Sequence, residues 1–282
     1  RDSNFAPTNL TWLNTYLFLL GAFVAPKTIF GICSLVGSLV CKTIVKTRRN
    51  YGHYVGVVAG IAAFLVYVYG LTFGFSQIRV RHITLNVSNL PKNFDGYRIV
   101  QVSDMHIGTF NGWRRFILEH EMDSIKHQNA NLIVFTGDLQ NMCPSEILPF
   151  TNLLKTSMKN AIAVRGNHDY TEYVKLNPKE AEQQNNDFAN IVRHKLGWNL
   201  LENNHITIKR GNDSIVIAGT ENDGKPPFPQ KANYQKALQG VAKGAFVIML
   251  QHDPSAWRRH ILPKNIAQIT LCGHTHLSLI HI

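Results

Sequence analysis

Five short segments of the chain gather the side chains that bind metals or move protons: Ser103-Asp104-Met105-His106, Thr136-Gly137-Asp138, Gly166-Asn167-His168-Asp169, His252-Asp253-Pro254 and Gly273-His274-Thr275-His276. They offer carboxylate, amide and imidazole groups and no thiolate, a donor set that suits Mn, Fe, Zn or a related ion better than a soft metal. Asp104 and His106 are two positions apart, as are His274 and His276. In extended backbone such pairs lie on one face, so each pair can enter one site. Gly137, Gly166 and Gly273 allow tight turns and close backbone approach. Singly, each segment is an ordinary turn or a chance match. Their order and their common placement carry the weight.

Each segment follows a short apolar run, at 97–103, 131–137, 161–166, 245–251 and 267–273, and a sixth such run covers 214–220. These read as buried strands, and 78–87 alternates like a further strand. Stretches 112–128, 145–157, 178–195 and 231–239 read as helices between them. Strands alternating with helices predict an α/β sheet, and ligand sites in open α/β sheets lie beyond the carboxyl ends of the strands. The five polar segments should therefore meet at one edge.

The N-terminal third is of another kind. Runs 5–26 and 54–75 carry no charge, and run 28–45 carries Lys42 near its end. A membrane span needs about 20 predominantly apolar residues, and a terminal lysine can snorkel to the interface. The sequence predicts about three transmembrane helices, at 5–26, 28–45 and 54–75, and a multi-pass membrane protein. Lys42, Lys46, Arg48 and Arg49 stand against Lys27, Arg79 and Arg81. The positive-inside rule then puts the 42–50 loop in the cytoplasm and the domain from residue 76 onward outside. The expected division is a membrane region at 1–76, an α/β domain at 77–276 and a tail at 277–282. The first residue is Arg1, so further residues are expected before it.

The 282 residues carry a net charge of +11, which favours anionic partners. Among the four cysteines, Cys33, Cys41, Cys143 and Cys272, there is no Cys-x-x-Cys pair, which argues against a thiolate zinc site or a disulfide framework.

Asp-x-His, Gly-Asp, Gly-Asn-His-Asp, a later His and Gly-His-Thr-His, in that order, resemble the calcineurin-like metallophosphoesterase superfamily. YRIVQVSDMHIG, VFTGDL, AVRGNHDY and LQHDPSAWR are similar to its bacterial membrane-associated branch. The resemblance spans about 78–276. It implies a four-layer α/β/β/α double-sheet sandwich holding two divalent metal ions. Asp104, His106, Asp138 and His276 would bind the first, and Asp138, Asn167, His252 and His274 the second. His168 would be the leaving-group acid. Phosphoester or pyrophosphate hydrolysis would proceed by attack of a hydroxide between the ions. Many relatives carry an acid three residues after the shared Asp to orient that histidine. Here the position is Asn141, whose amide oxygen is expected to accept a hydrogen bond, with Asp169 as compensating acid. Leu277 to Ile282 do not match the family's continuation, so C-terminal strands are expected to be missing.

The expected substrate is a phosphorylated small molecule, with a lipid-linked one favoured by the membrane region. Some relatives cleave UDP-2,3-diacylglucosamine, a cytoplasmic compound, which conflicts with the outward topology above. One alternative is a nuclease or cyclic-nucleotide phosphodiesterase. Nucleic acid is disfavoured because no basic stripe interleaved with aromatics is present. The other is a non-catalytic metal-binding membrane scaffold.

Overall fold

Pro26 and Lys27 were the residues that separated the first two apolar runs, and neither ends the helix. In the structure, a computed structural model that describes residues 11–74 and 76–275, α1 (Thr11–Leu19) passes through a π-helical turn (Leu20–Val24) into α2 (Ala25–Thr43). A proline lacks the amide for the helical ladder and its ring crowds the preceding turn. A wider π turn immediately before Pro26 absorbs that demand. The helices long and apolar enough to cross a membrane therefore number two among the described residues, Thr15–Thr43 and Gly52–Gly74, rather than three. Residues 5–10 of the first expected helix lie outside the described residues.

The chain divides into two units, Arg1–Arg79 and Val80–Ile282. In the first, α2 packs against α3 (Gly52–Tyr69), whose buried residues are Gly52, Gly56 and Gly60. These recur every fourth position and so form one stripe. A Cβ at Gly52 would lie 2.3 Å from the Cys33 carbonyl oxygen and 2.6 Å from the Gly37 Cα, and one at Gly60 would lie 3.1 Å from the Pro26 oxygen. The two backbones touch because these side chains are missing, the usual basis of close helix packing in lipid. Val55, Val58, Ile61 and Leu65 of α3 are exposed.

The described residues of the second unit form two four-stranded sheets. β1 (Ile99–Val102), β2 (Leu132–Phe135), β3 (Ile162–Ala163) and β4 (Asn199–Leu200) are parallel and adjacent in chain order. α4 (Arg115–His127), α5 (Thr151–Ser157) and α6 (Pro178–Asn190) lie in the crossovers. α6 starts with a capping box between Asn177 and Glu180 behind Pro178, a strong helix-start pattern. In the second sheet, β5 (Asn204–Arg210) runs antiparallel to β6 (Asp213–Gly219), and β7 (Val247–Leu250) and β8 (Ile269–Leu271) are parallel to β6. α7 (Tyr234–Ala237), a single turn, precedes β7.

Among the described residues of this unit, three apolar clusters carry the buried core. Leu118 and Met122 of α4, Leu154 of α5 and Phe188 of α6 pack with Phe135 and Ala163 of the first sheet. Leu132, Val134 and Ile162, alternating with those residues, pack instead with Ile215, Ile217, Ile248 and Leu250 of the second sheet. Val216, Val247 and Met249 pack with Ile261 on that sheet's other face. Both sheets are thus apolar on two faces, which is why their strands read as continuous apolar runs.

Two readings need correction. Segment 78–87 has no strand. Its alternation is real, but no neighbour completes a ladder among the described residues, and Ile83 and Leu85 stay 78% and 57% exposed. Conversely, β6 was read as a strand, but its hairpin partner β5, and β4, were not anticipated. The hairpin had a signal: Gly211-Asn212 lies between the paired Arg210 and Asp213, and Gly211 has φ +59°, as a tight two-residue hairpin loop requires.

The helix contact gives a discriminating test. Gly52→Ala is expected to lower the thermal midpoint of the detergent-solubilised protein, although alanine is intrinsically the better helix former by roughly 1 kcal/mol. Gly31→Ala, where a Cβ meets nothing within 4 Å, should leave the midpoint unchanged or raise it.

Candidate metal centre

Beyond their strand ends, the polar segments turn through a backbone conformation that side chains disfavour. Asp104, His106, Asp138 and His274 have φ of 54°, 43°, 61° and 70°, in the left-handed region uncommon outside glycine. Such residues persist where surrounding structure over-determines them. Here the loops are stitched together. Asp104 N donates to Gly137 O at 2.9 Å, His106 N to Asp138 O at 3.1 Å, Ile107 N to Leu139 O at 2.9 Å and Gly273 N to His252 O at 2.9 Å. Asp169, fully buried, accepts from the amides of Asp138 and Gly166 on one oxygen and of Leu139 and Gln140 on the other. Gly166 is obligatory: a Cβ there would sit 2.1 Å from Asp138 Oδ1.

These loops bring ligand-type atoms together. Asp138 is 2% exposed, and Asn167 and His252 are equally buried. His252 Nε2 lies 3.2 Å from Asp138 Oδ2 and His106 Nε2 lies 3.7 Å from the same oxygen. His252 Nδ1 is 2.7 Å from the Thr136 carbonyl. A carbonyl only accepts, so Nδ1 carries the hydrogen and Nε2 is left for the cluster. Asn167 Nδ2 donates to Tyr173 Oη at 2.8 Å, which turns Asn167 Oδ1 toward His252 Nε2 at 3.1 Å and His274 Nδ1 at 2.9 Å. His274 N donates to both oxygens of Asp104, at 2.9 and 3.0 Å, and Asp104 Oδ1 lies 4.0 Å from His252 Nε2.

Among the described residues, two groups could hold an ion, His106 with Asp138 and His168, and Asp138 with His252 and His274, the ligand atoms of each within 4.8 Å of one another. Asp138 belongs to both. The donor set fits hard or borderline divalent cations. Electrostatics point the same way. Burial opposes ionisation of Asp138, but His252 beside it outweighs burial and holds the carboxyl down at about 2. Burial likewise opposes charge on His252, and Asp138 overrides it, lifting the imidazole to about 9. A cation would take the place of that shared proton.

The remaining sequence candidates are placed as follows. His168 N donates to Asp138 Oδ1 at 2.9 Å, and its ring stands edge-on to His106 at 4.6 Å and stacks on Tyr173 at 4.2 Å. Its Nδ1 lies 2.7 Å from the main-chain oxygen of Asn141. The Asn141 side chain goes elsewhere, with Nδ2 donating to Thr109 Oγ1 at 3.1 Å. Asp169 is occupied with the four amides, while burial and then the charge of Asp138 push its carboxyl up to about 6 against their pull. His276 lies outside the described residues. Burial and the charge of Asp253 lift the Cys272 thiol to about 12.

Sequence reasoning did not find Tyr173, Thr136 or Glu146. Nothing in the pattern marks Tyr173, and Thr136, although it opens the Thr136-Gly137-Asp138 segment, acts through its main-chain carbonyl, which carries no residue identity. Glu146 had a weak signal, the Cys143-Pro144-Ser145-Glu146 start of the 3-10 helix Pro144–Phe150, where Pro and Glu at the first and third positions are helix-start residues.

An α/β unit whose strand ends gather two overlapping His and Asp groups has the arrangement of a protein that could hold a pair of divalent cations. Residues 97–278 match the model of the calcineurin-like phosphoesterase family, and the chain belongs to that family. It is 27% identical to a transmembrane protein with metallophosphoesterase domain of Danio rerio over 234 residues, 78% of this chain and 49% of that protein. It is 26% identical to the uncharacterized metallophosphoesterase YkuE of Bacillus subtilis, over 71% of this chain and 65% of that protein. It is also 26% identical to the UDP-2,3-diacylglucosamine pyrophosphatase LpxG of Chlamydia trachomatis, over 67% of each. The chain spans about half the length of the Danio rerio protein it matches.

Replacing Asp169 tests the scaffold. Asp169→Asn would turn an amino group toward two of the four amides. A buried donor without a partner costs about 1–3 kcal/mol, so the expected loss is at least about 2 kcal/mol. Denaturant unfolding in detergent, followed by fluorescence, would read it. The buried Trp198, ring to ring with Phe135 at 5.6 Å, is a reporter in that core.

Proposed function

We propose that this protein is a membrane-anchored dimetal phosphoesterase acting on phosphoester or pyrophosphate bonds. The observation that carries the reading is the pair of ligand groups sharing Asp138. Asp104, His106, Asp138 and His276 would hold one ion, and Asp138, Asn167, His252 and His274 the other, with His168 left to the substrate. The two sheets, covered by helices, are read as the inner layers of a four-layer sandwich. A pair of divalent cations supplies Lewis acidity toward phosphoryl oxygens and makes water an available nucleophile near neutral pH.

The chain's own residues do the rest. The amide of Asn167, tied to Tyr173, keeps its oxygen on the site. Thr136 holds the His252 tautomer. His168, with Nδ1 engaged by the Asn141 carbonyl, keeps Nε2 to deliver a proton to the departing oxygen, the general-acid role. Phosphoryl transfer asks the protein chiefly for positioning and charge stabilisation, and a framework of buried, interlocked loops provides it.

A lipid-linked substrate is the finer reading. It is supported by the two apolar helices and by the name of the Chlamydia trachomatis relative, a UDP-2,3-diacylglucosamine pyrophosphatase. Phe228, whose ring meets His274 edge-on at 5.0 Å, would give such a substrate an apolar wall beside the reacting phosphate.

Metal content and hydrolysis of bis-p-nitrophenyl phosphate by the detergent-solubilised protein test the proposal. Close to two divalent ions per chain and turnover abolished by chelator are expected, with both lost in Asp138→Ala. Bound metal without turnover would favour a metal-binding scaffold, and no bound metal would end the hydrolase reading.

A further inference from the structure

We propose that Glu146 positions His168 for proton delivery by acting through the Asn141–Met142 peptide group. The inference rests on the reading of His168 as leaving-group acid. His168 Nδ1 lies 2.7 Å from Asn141 O. Since the carbonyl only accepts, Nδ1 is the protonated nitrogen. The N–H of the same peptide group belongs to Met142, and it donates to Glu146 Oε1 at 3.1 Å and Oε2 at 3.3 Å. Imidazole N–H, carbonyl, amide N–H and carboxylate therefore form one chain. Asn141 N adds a second anchor, donating to Glu146 Oε2 at 2.6 Å.

Two physical effects follow. A peptide held by a carboxylate on its N–H side cannot rotate its carbonyl away from the imidazole. The negative charge also polarises the peptide, because hydrogen bonds in a chain strengthen one another and those to ionised groups are roughly twice as strong as neutral ones. The space for this carboxylate is specific. A Cβ at Gly108 would lie 2.8 Å from Glu146 Cδ and from Oε2. The Asn141 side chain does not compete for the role, since its Nδ2 donates to Thr109. In the step itself, the Nε2 proton passes to the leaving oxygen as the P–O bond breaks. The Nδ1 hydrogen stays with Asn141 O, and Glu146 exchanges no proton.

A simple loop-fastening role makes a different prediction from this one. The Mn-loaded protein in detergent would be assayed as wild type, Glu146→Gln, His168→Ala and the double variant, on aryl methyl phosphates whose leaving groups run from 4-nitrophenol to phenol. A good leaving group needs little help from an acid. Glu146→Gln is expected to cost about tenfold with phenol as leaving group and under about threefold with 4-nitrophenol, a fraction of the roughly hundredfold or more a general acid provides. In the His168→Ala background it should cost nothing further, as residues acting through one another are non-additive. Equal losses across the series, or an undiminished loss without His168, would overturn the inference. A wild type inactive on every ester would instead count against the hydrolase reading. Independently of turnover, the metal-free protein should show a downfield imidazole proton resonance that His168→Ala deletes and Glu146→Gln moves upfield, and an unmoved resonance would also overturn it.

Discussion

Four backbone amides close on one buried carboxylate, that of Asp169, and the site hangs on that contact. The loop after β2 must place Asp138 in a left-handed conformation in contact with the loop after β3. A single residue so disposed costs on the order of 1–2 kcal/mol. Ion-like hydrogen bonds from both loops to the same two oxygens offset that cost and fix the spacing of the loops. Burial of Asp169 is what makes the arrangement rigid, because water cannot compete for the amides.

From that anchor the rest follows by short steps. Asp138, once fixed, meets His106 from the first sheet's edge and His252 from the second. Hydrogen bonds of His274 N with Asp104 and of Gln101 Nε2 with the Cys272 carbonyl at 2.6 Å join the two edges. Like-charged and lone-pair-bearing groups are held at separations they would avoid alone. Such crowding is stable when a cation, or for Asp138 and His252 a proton, sits among them. The ring nitrogens turned away from the centre are satisfied by main-chain carbonyls, from Thr136 for His252 and from Asn141 for His168, so tautomers are set by the backbone.

Most of this was legible in the sequence, and unevenly. The apolar runs that became β1, β2, β3, β6, β7 and β8 were readable because both sheet faces are buried, and the polar residues after them stood out for the same reason. Segment 78–87 misled because alternation reports a possible strand face but not whether a partner ladder exists. β4, two residues long, gave no periodicity to detect. Pro26 suggested a break that a π turn accommodates. The orienting partner of His168 was unreadable in principle: it is a main-chain oxygen of Asn141, and main-chain groups carry no residue identity. Glu146 was visible only as a helix-start residue, since its link to His168 runs through a peptide rather than through a side chain.

The central claim is that Asp138 belongs to two metal sites at once. Electron paramagnetic resonance of the protein titrated with Mn(II) tests it most directly, because two ions sharing a ligand are magnetically coupled and isolated ions are not. The account requires a coupled spectrum to grow in as the second equivalent binds and to vanish in Asp138→Asn. A spectrum that stays that of isolated Mn(II) through two bound equivalents would contradict it.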